Sequence, residues 1–176
     1  MEAVPISTKD GKIFAVELSG GTLAEQLPAI ERKRVVFEHH QLLAVLKVSY
    51  RDALYLLNMD TKLPAFVRLM ISEDFPNLHD GMSNALLRDL MKFAPLWLGN
   101  LGAGNSNVQA LQDRMFEAAV LDRQFILANI DKQIFQSVLV QGGRFCQIIT
   151  PMPTNARTWT YGIRPINFEK LELLVS

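Results

Sequence analysis

The feature that most constrains the fold of this chain is the placement of its strand-like segments at the two ends, with dense apolar stretches of helical composition between them. From Val4 to Leu18 the sequence reads as a hairpin, because Asp10-Gly11 supplies a turn that tolerates positive φ and Ile13 to Leu18 is a run of strand formers. Near the other end, Val138 to Val140 and Phe145 to Ile149 flank Gly142-Gly143 as two strands about a tight turn. Thr158 to Ile163 reads as another strand and Leu171 to Val175 as a last one. Each of these β elements is too small to stand alone, so the two ends are inferred to join in one sheet.

Between them, Ser19-Gly20-Gly21 breaks the hairpin and Thr22-Leu23-Ala24-Glu25 has the spacing of a capping box, which places a helix start at Thr22. Pro28 demands a kink there, or a second helix from about Ala29 through Glu31-Arg32-Lys33-Arg34. Val35 to about Asn58 fits helical faces, with Ser49 capping a helix that begins at Tyr50. Asp60 to Pro64 is a turn, Ala65 to Ile71 suits helix or strand equally, and Met82 to Phe93 is helical, ending near Pro95. Gly99 to Asn107 reads as a loop. Ser106 and Gln109 make a second capping box, opening a helix from about Asn107 to Phe135 with a broad apolar stripe. The expectation is an α+β fold in which a central helical region of four to six helices packs on a small, mostly antiparallel sheet formed by the N- and C-terminal segments. Residues 1–176 would make a single globular domain.

Composition bounds the function classes. Lys plus Arg equal Asp plus Glu at 18 each, so the net field steers toward neither nucleic acid nor anionic lipid. A 49% hydrophobic content points to a well-filled core or to a surface covered by another subunit. The single Cys146 excludes an intrachain disulfide and a multi-cysteine zinc site and suits a reducing compartment, so a cytoplasmic location is expected. The first residues lack the pattern of an export signal, and no uncharged apolar window is long enough to span a bilayer.

Candidate chemistry is sparse. Adjacent His39 and His40 would point about 100° apart on a helix, a poor arrangement for one metal. His79, beside Asp80, could serve acid-base work only with ligands brought by the fold, and Asp60, Glu73, Asp74 and Asp80 fall in one loop-rich region without the spacing of a calcium loop. Gly102 and Gly104 invite a phosphate-cradle reading, but the P-loop Lys and Ser/Thr are missing. Cys146 reads as a small core residue. No cofactor and no metal are expected.

The most specific local pattern, Gln41 to Leu57, resembles a helix-turn-helix: a short apolar helix, a turn ending in Val48-Ser49, and a second helix with polar residues at its start. That resemblance implies DNA contacts from Ser49, Tyr50, Arg51 and Tyr55, joined by the basic cluster Arg32, Lys33 and Arg34. Against it, Lys47 stands where such turns favour glycine, and Asp52 brings the wrong charge to a phosphate backbone. Trp97, Phe125, Trp159 and Tyr161 are candidate interface anchors. The leading expectation is a noncatalytic protein-protein interaction or assembly subunit that forms a homo-oligomer. A helix-turn-helix DNA-binding regulator is the alternative, and an enzyme of unrecognised class using His79 the third.

Overall fold

Gly11 adopts φ +81°, and the turn it makes folds β1 (Glu2–Ser7) against β2 (Ile13–Ser19) as antiparallel neighbours, Ala3 opposite Leu18 and Ile6 opposite Ala15. The hairpin is as the sequence indicates. What it joins is different. In the computed structural model, which describes residues 1–59, 62–104, 111–156, 158–162 and 164–175, β2 also pairs in parallel with β3 (Leu43–Lys47). The parallel ladder then continues through β4 (Val67–Ser72), β5 (Leu96–Leu101), β6 (Phe116–Leu121), β7 (Gln147–Thr150) and β8 (Trp159–Tyr161). β1 pairs antiparallel with β8 as well as with β2, which closes the ring of eight strands. A short β9 (Ile166–Asn167) adds to β1 outside the ring.

Helices return the chain after β2, β3, β4 and β6, the kind of crossover that parallel neighbours need. α1 (Leu23–Arg32) and α2 (Arg34–His39) follow β2, α3 (Tyr50–Leu57) follows β3, and α4 (Ala85–Phe93), preceded by the 3₁₀ turn Leu78–Ser83, follows β4. α5 (Arg123–Asn129) and α6 (Gln133–Gly142) link β6 to β7, and a 3₁₀ helix, Phe168–Leu174, follows β9. Their starts are locally encoded: the Glu25 carboxylate accepts the Thr22 N–H at 2.7 Å, Ser49 Oγ accepts the Asp52 N–H, and Asp122 accepts the Phe125 N–H at 2.8 Å.

Alternation along the strands sorts their side chains into two cores. Val16, Leu18, Ala44, Leu46, Leu69, Ile71, Leu98 and Ala119 point outward and pack against buried helix residues such as Ile30, Phe37, Leu56, Leu87 and Ile126. Ile6, Ala15, Val45, Met70, Trp97, Ala118, Ile149 and Tyr161 point inward and fill the barrel. At the end where the parallel strands begin, Trp97 Nε1 donates to Glu117 at 2.8 Å, and Arg68 Nε donates to the same carboxylate at 2.6 Å. Partial burial alone would raise the Glu117 pKa, but the hydrogen bonds from Arg68 and Trp97 hold it below the usual carboxylate value.

The architecture therefore corrects the α+β expectation. It is a closed, mixed eight-stranded barrel ringed by helices rather than a helical region on a small antiparallel sheet. The two chain ends do meet, through β1 and β8. The stretch Leu43–Lys47, taken as the first helix of a helix-turn-helix, is a strand buried between β2 and β4, which removes that motif. The helix expected over residues 107–135 is broken by β6 and by the turn before α5, and its first residues, with the Ser106 and Gln109 capping box, lie outside the described residues. Val138 to Val140 belongs to α6, and Leu171 to Val175 to the last 3₁₀ helix and its cap. Pro28 neither kinks α1 apart nor starts a new helix, since α1 runs through it. The cause is common to most of these errors: strands buried on both faces carry apolar residues at every position, so they lose the period of two that marks a strand.

Trp97, 1% exposed, is the largest side chain of the barrel interior. Trp97→Ala is expected to lower the unfolding free energy by about 3–5 kcal/mol in urea titrations followed by circular dichroism. A loss under about 1 kcal/mol would show that the interior is not packed as described.

Candidate functional site

The inward positions at the last turn of the strands are occupied by Glu17 of β2, Lys47 of β3, Ser72 of β4, Gly99 of β5 and Tyr161 of β8. With Ser49, which caps α3, Asn100 of β5 and Arg123 at the start of α5 they line a cavity of about 590 Å³ at the mouth of the barrel. A Cβ at Gly99 would lie 3.4 Å from the Met70 side chain. Such a mouth, at the C-terminal ends of parallel strands, is where barrels of this kind place their working residues.

Glu17 dominates the electrostatics. It is 6% exposed, so a charged carboxylate there needs partners for both oxygens. Lys47 Nζ lies 2.7 Å from Oε1, and the Tyr161 hydroxyl donates to Oε2 at 2.6 Å. Burial, and then the neighbouring Glu17 charge, push the Tyr161 hydroxyl well above the usual phenol value. The remaining acids of the mouth are also engaged, Asp52 with the Ser49 N–H and hydroxyl and Asp122 as the cap of α5. This donor set does not fit a divalent cation: an ammonium already neutralises Glu17. Among the described residues no three His, Cys, Asp or Glu side chains lie close enough together to hold a metal ion.

The structure separates the residues singled out for DNA contact. Ser49, Tyr50, Arg51 and Tyr55 belong to the cap and body of α3, with Ser49 at the mouth. Arg32, Lys33 and Arg34 sit where α1 meets α2, and their charges are met by carboxylates. Arg32 lies 3.8 Å from Glu169, Lys33 2.8 Å from Glu172, and Arg34 2.9 Å from Glu31. Of the aromatic candidates, Trp97 and Tyr161 lie inside the barrel, and half-buried Trp159 packs 4.2 Å from Phe14 at its lower end. Phe125 is half-buried on α5 against Gly102, whose φ of +98° and missing Cβ both suit that contact. His39 and His40 are exposed with edge-on rings, and His79 pairs with Asp80 at 3.2 Å. The half-buried Cys146 thiol is pushed up to about 11 by burial. Asp60 lies outside the described residues.

Glu17 and Lys47 were missed as a pair. Their signal was present twice: a lone charge near the end of an apolar run and shortly before a helix cap, Glu17 five residues before Thr22 and Lys47 two residues before Ser49.

A closed barrel of one antiparallel and seven parallel strands ringed by helices is an EAL-like fold. The chain superposes on the crystal structure of the EAL-like domain protein YdiV with a TM-score of 0.83 at 25% identity, covering 99% of this chain and 95% of that one. It superposes on the EAL domain of Mycobacterium smegmatis DcpA with a TM-score of 0.75 over 99% and 94% of the two chains, and at 17% identity this shows the fold alone. No family model matches the sequence. Among curated proteins it is 32% identical over 159 residues to the putative anti-FlhC(2)FlhD(4) factor YdiV of Escherichia coli (strain K12), covering 85% of this chain and 67% of that protein. The chain belongs to the YdiV family. It spans about two thirds of that relative's length, 71% of the Salmonella arizonae protein and 54% of the Salmonella paratyphi B protein.

Tyr161→Phe removes the donor to Glu17 Oε2 and is expected to lower stability at pH 7 by about 1–3 kcal/mol. Because the Tyr161 pKa is raised in the folded state, its contribution is complete below the ordinary phenol value near 10 and is lost as pH rises through the raised one. Unfolding titrations above about pH 10 should therefore show the wild-type chain losing stability faster than Tyr161→Phe. Parallel pH profiles would contradict the Glu17–Tyr161 contact.

Proposed function

We propose that this chain is a noncatalytic protein-binding factor whose partner is a complex of the FlhC(2)FlhD(4) kind. The observation that carries the reading is the 32% identity to the Escherichia coli anti-FlhC(2)FlhD(4) factor across 85% of this chain. The mouth of the barrel is in keeping with it: the one deeply buried acid there is tied to Lys47 and Tyr161 within the chain itself. Neither the comparisons nor the fold support the self-association or the DNA binding expected from sequence. The DNA reading rested on a helix-turn-helix that the chain does not form.

Light scattering coupled to size-exclusion chromatography tests the reading. The chain at about 10 μM, a concentration that detects dissociation constants in the low micromolar range, is expected to co-elute with FlhC(2)FlhD(4) and raise its mass. Separate elution at unchanged masses would contradict it.

A further inference from the structure

We propose that the outward face of α6 is the surface on which the protein partner docks, through a segment that sets apolar side chains among acidic ones. The proposal rests on the protein-binding reading above. The other long helices among the described residues wear charge: α1 carries Glu25, Glu31 and Arg32, α3 Arg51 and Asp52, and α4 Arg88, Asp89 and Lys92. From Gln133 to Gly143 there is none. The inner side of α6 buries Phe135 and Gly142. Its solvent side shows Ile134, 52% exposed, and Val140, 60% exposed, among the exposed amides of Gln133, Gln136 and Gln141. Branched side chains give up rotamer freedom in a helix, so at positions open to water Ile134 and Val140 weaken α6 slightly and gain no packing in return. Leu127 of the adjoining α5 is 53% exposed as well. Between Ile134 and Val138 on α6 and Leu101, Leu111, Phe125 and Phe145 lies a cavity of about 290 Å³, with no charged side chain among the described residues that line it. An apolar centre depleted of charge is what sets the core of an interface apart from ordinary surface.

Charge decides what fits there. The chain as a whole is neutral, yet from Lys132 to Phe168 the sequence holds Lys132, Arg144, Arg157 and Arg164 and no Asp or Glu. Lys132 stands at the N-terminal end of α6 and Arg144 just past its C-terminal end, both exposed. Lys132 Nζ reaches a neutral amide oxygen, Asn129 Oδ1 at 3.5 Å, and the Arg144 guanidinium has no carboxylate partner among the described residues. The exposed acid beside them is Asp131. An acidic partner meets this rim with complementary charge, whereas a second copy of the chain would set the same cations against one another. A helix that lies on a membrane carries Lys and Arg on its own polar face, and α6 carries neither. The complement is a protein segment with apolar side chains for the cavity and for Ile134 and Val140, flanked by Asp or Glu.

The test has two arms. In the first, an amphipathic helical peptide of leucine and glutamate is titrated into ¹⁵N-labelled protein, with a leucine-lysine peptide of the same pattern as control. Shifts concentrated at the amides of Leu127 and of Ile134 to Arg144 are expected with the acidic peptide, fading as salt screens the rim, and absent with the basic one. No shift at these amides, or equal shifts with both peptides, would overturn the proposal. In the second arm, Val140→Glu is expected to weaken binding to FlhC(2)FlhD(4) by at least about tenfold, and Arg144→Glu to slow association severalfold. Leu54→Glu, at an exposed position on α3, should leave affinity and rate unchanged, with circular dichroism showing all three variants folded. Equal affinities of Val140→Glu and the wild-type chain, or a loss as large in Leu54→Glu, would overturn the proposal. So would a dimer, or co-sedimentation with phosphatidylglycerol vesicles, that Val140→Glu abolishes, because each gives the face to another occupant. Failure of the wild-type chain to bind the complex would instead sink the protein-binding reading, while the first arm still judges the face.

Discussion

The antiparallel β1 is the element on which the rest of the structure depends. Seven parallel strands form a curved sheet with two edges, and an exposed edge is a liability in any β-protein. β1 pairs with β2 on one side and β8 on the other, so a single strand running against the rest satisfies both edges at once. Closure converts the inner face of the sheet into a packed interior, which is why Trp97 and Met70 can be buried there. It also brings residues more than a hundred positions apart in sequence, Glu17 and Tyr161, to one hydrogen bond.

The same closure determines what the mouth can do. A carboxylate at the end of β2 is buried by the ring around it, and a buried charge must be met by something. Here the chain meets it from its own strands, with an ammonium from β3 and a phenol from β8. Glu73, one residue past the end of β4, is in a different condition, with one oxygen held by Gly102 and the other unmatched.

How much of this was legible in the sequence follows from what each signal reports. Local signals did well: the Asp10-Gly11 turn, the Thr22 and Ser49 caps and the start of the Thr158 strand are all present, because turns and caps depend on a few adjacent residues. Periodicity failed where its physical basis disappears. Leu43–Lys47 and Phe116–Leu121 have apolar side chains on both faces, one set against helices and the other inside the barrel, so neither alternates. Leucine and alanine in those runs then favour helix on propensity alone. The mouth was hidden for the same reason. Glu17 and Lys47 look like ordinary strand-end charges until the strands that carry them are known to be parallel neighbours.

Closure can be measured directly by amide hydrogen exchange resolved along β2. In the closed barrel Ala15 to Leu18 are flanked by strands on both sides, paired with β1 and with β3. Their amides should therefore exchange as slowly as those of Leu69 to Ile71 in the middle of the sheet, β1 included in the same protected unit. Fast exchange throughout β1, with protection of β2 falling to that of a sheet edge, would mean that the ring is open and that the interior and mouth are not built as described.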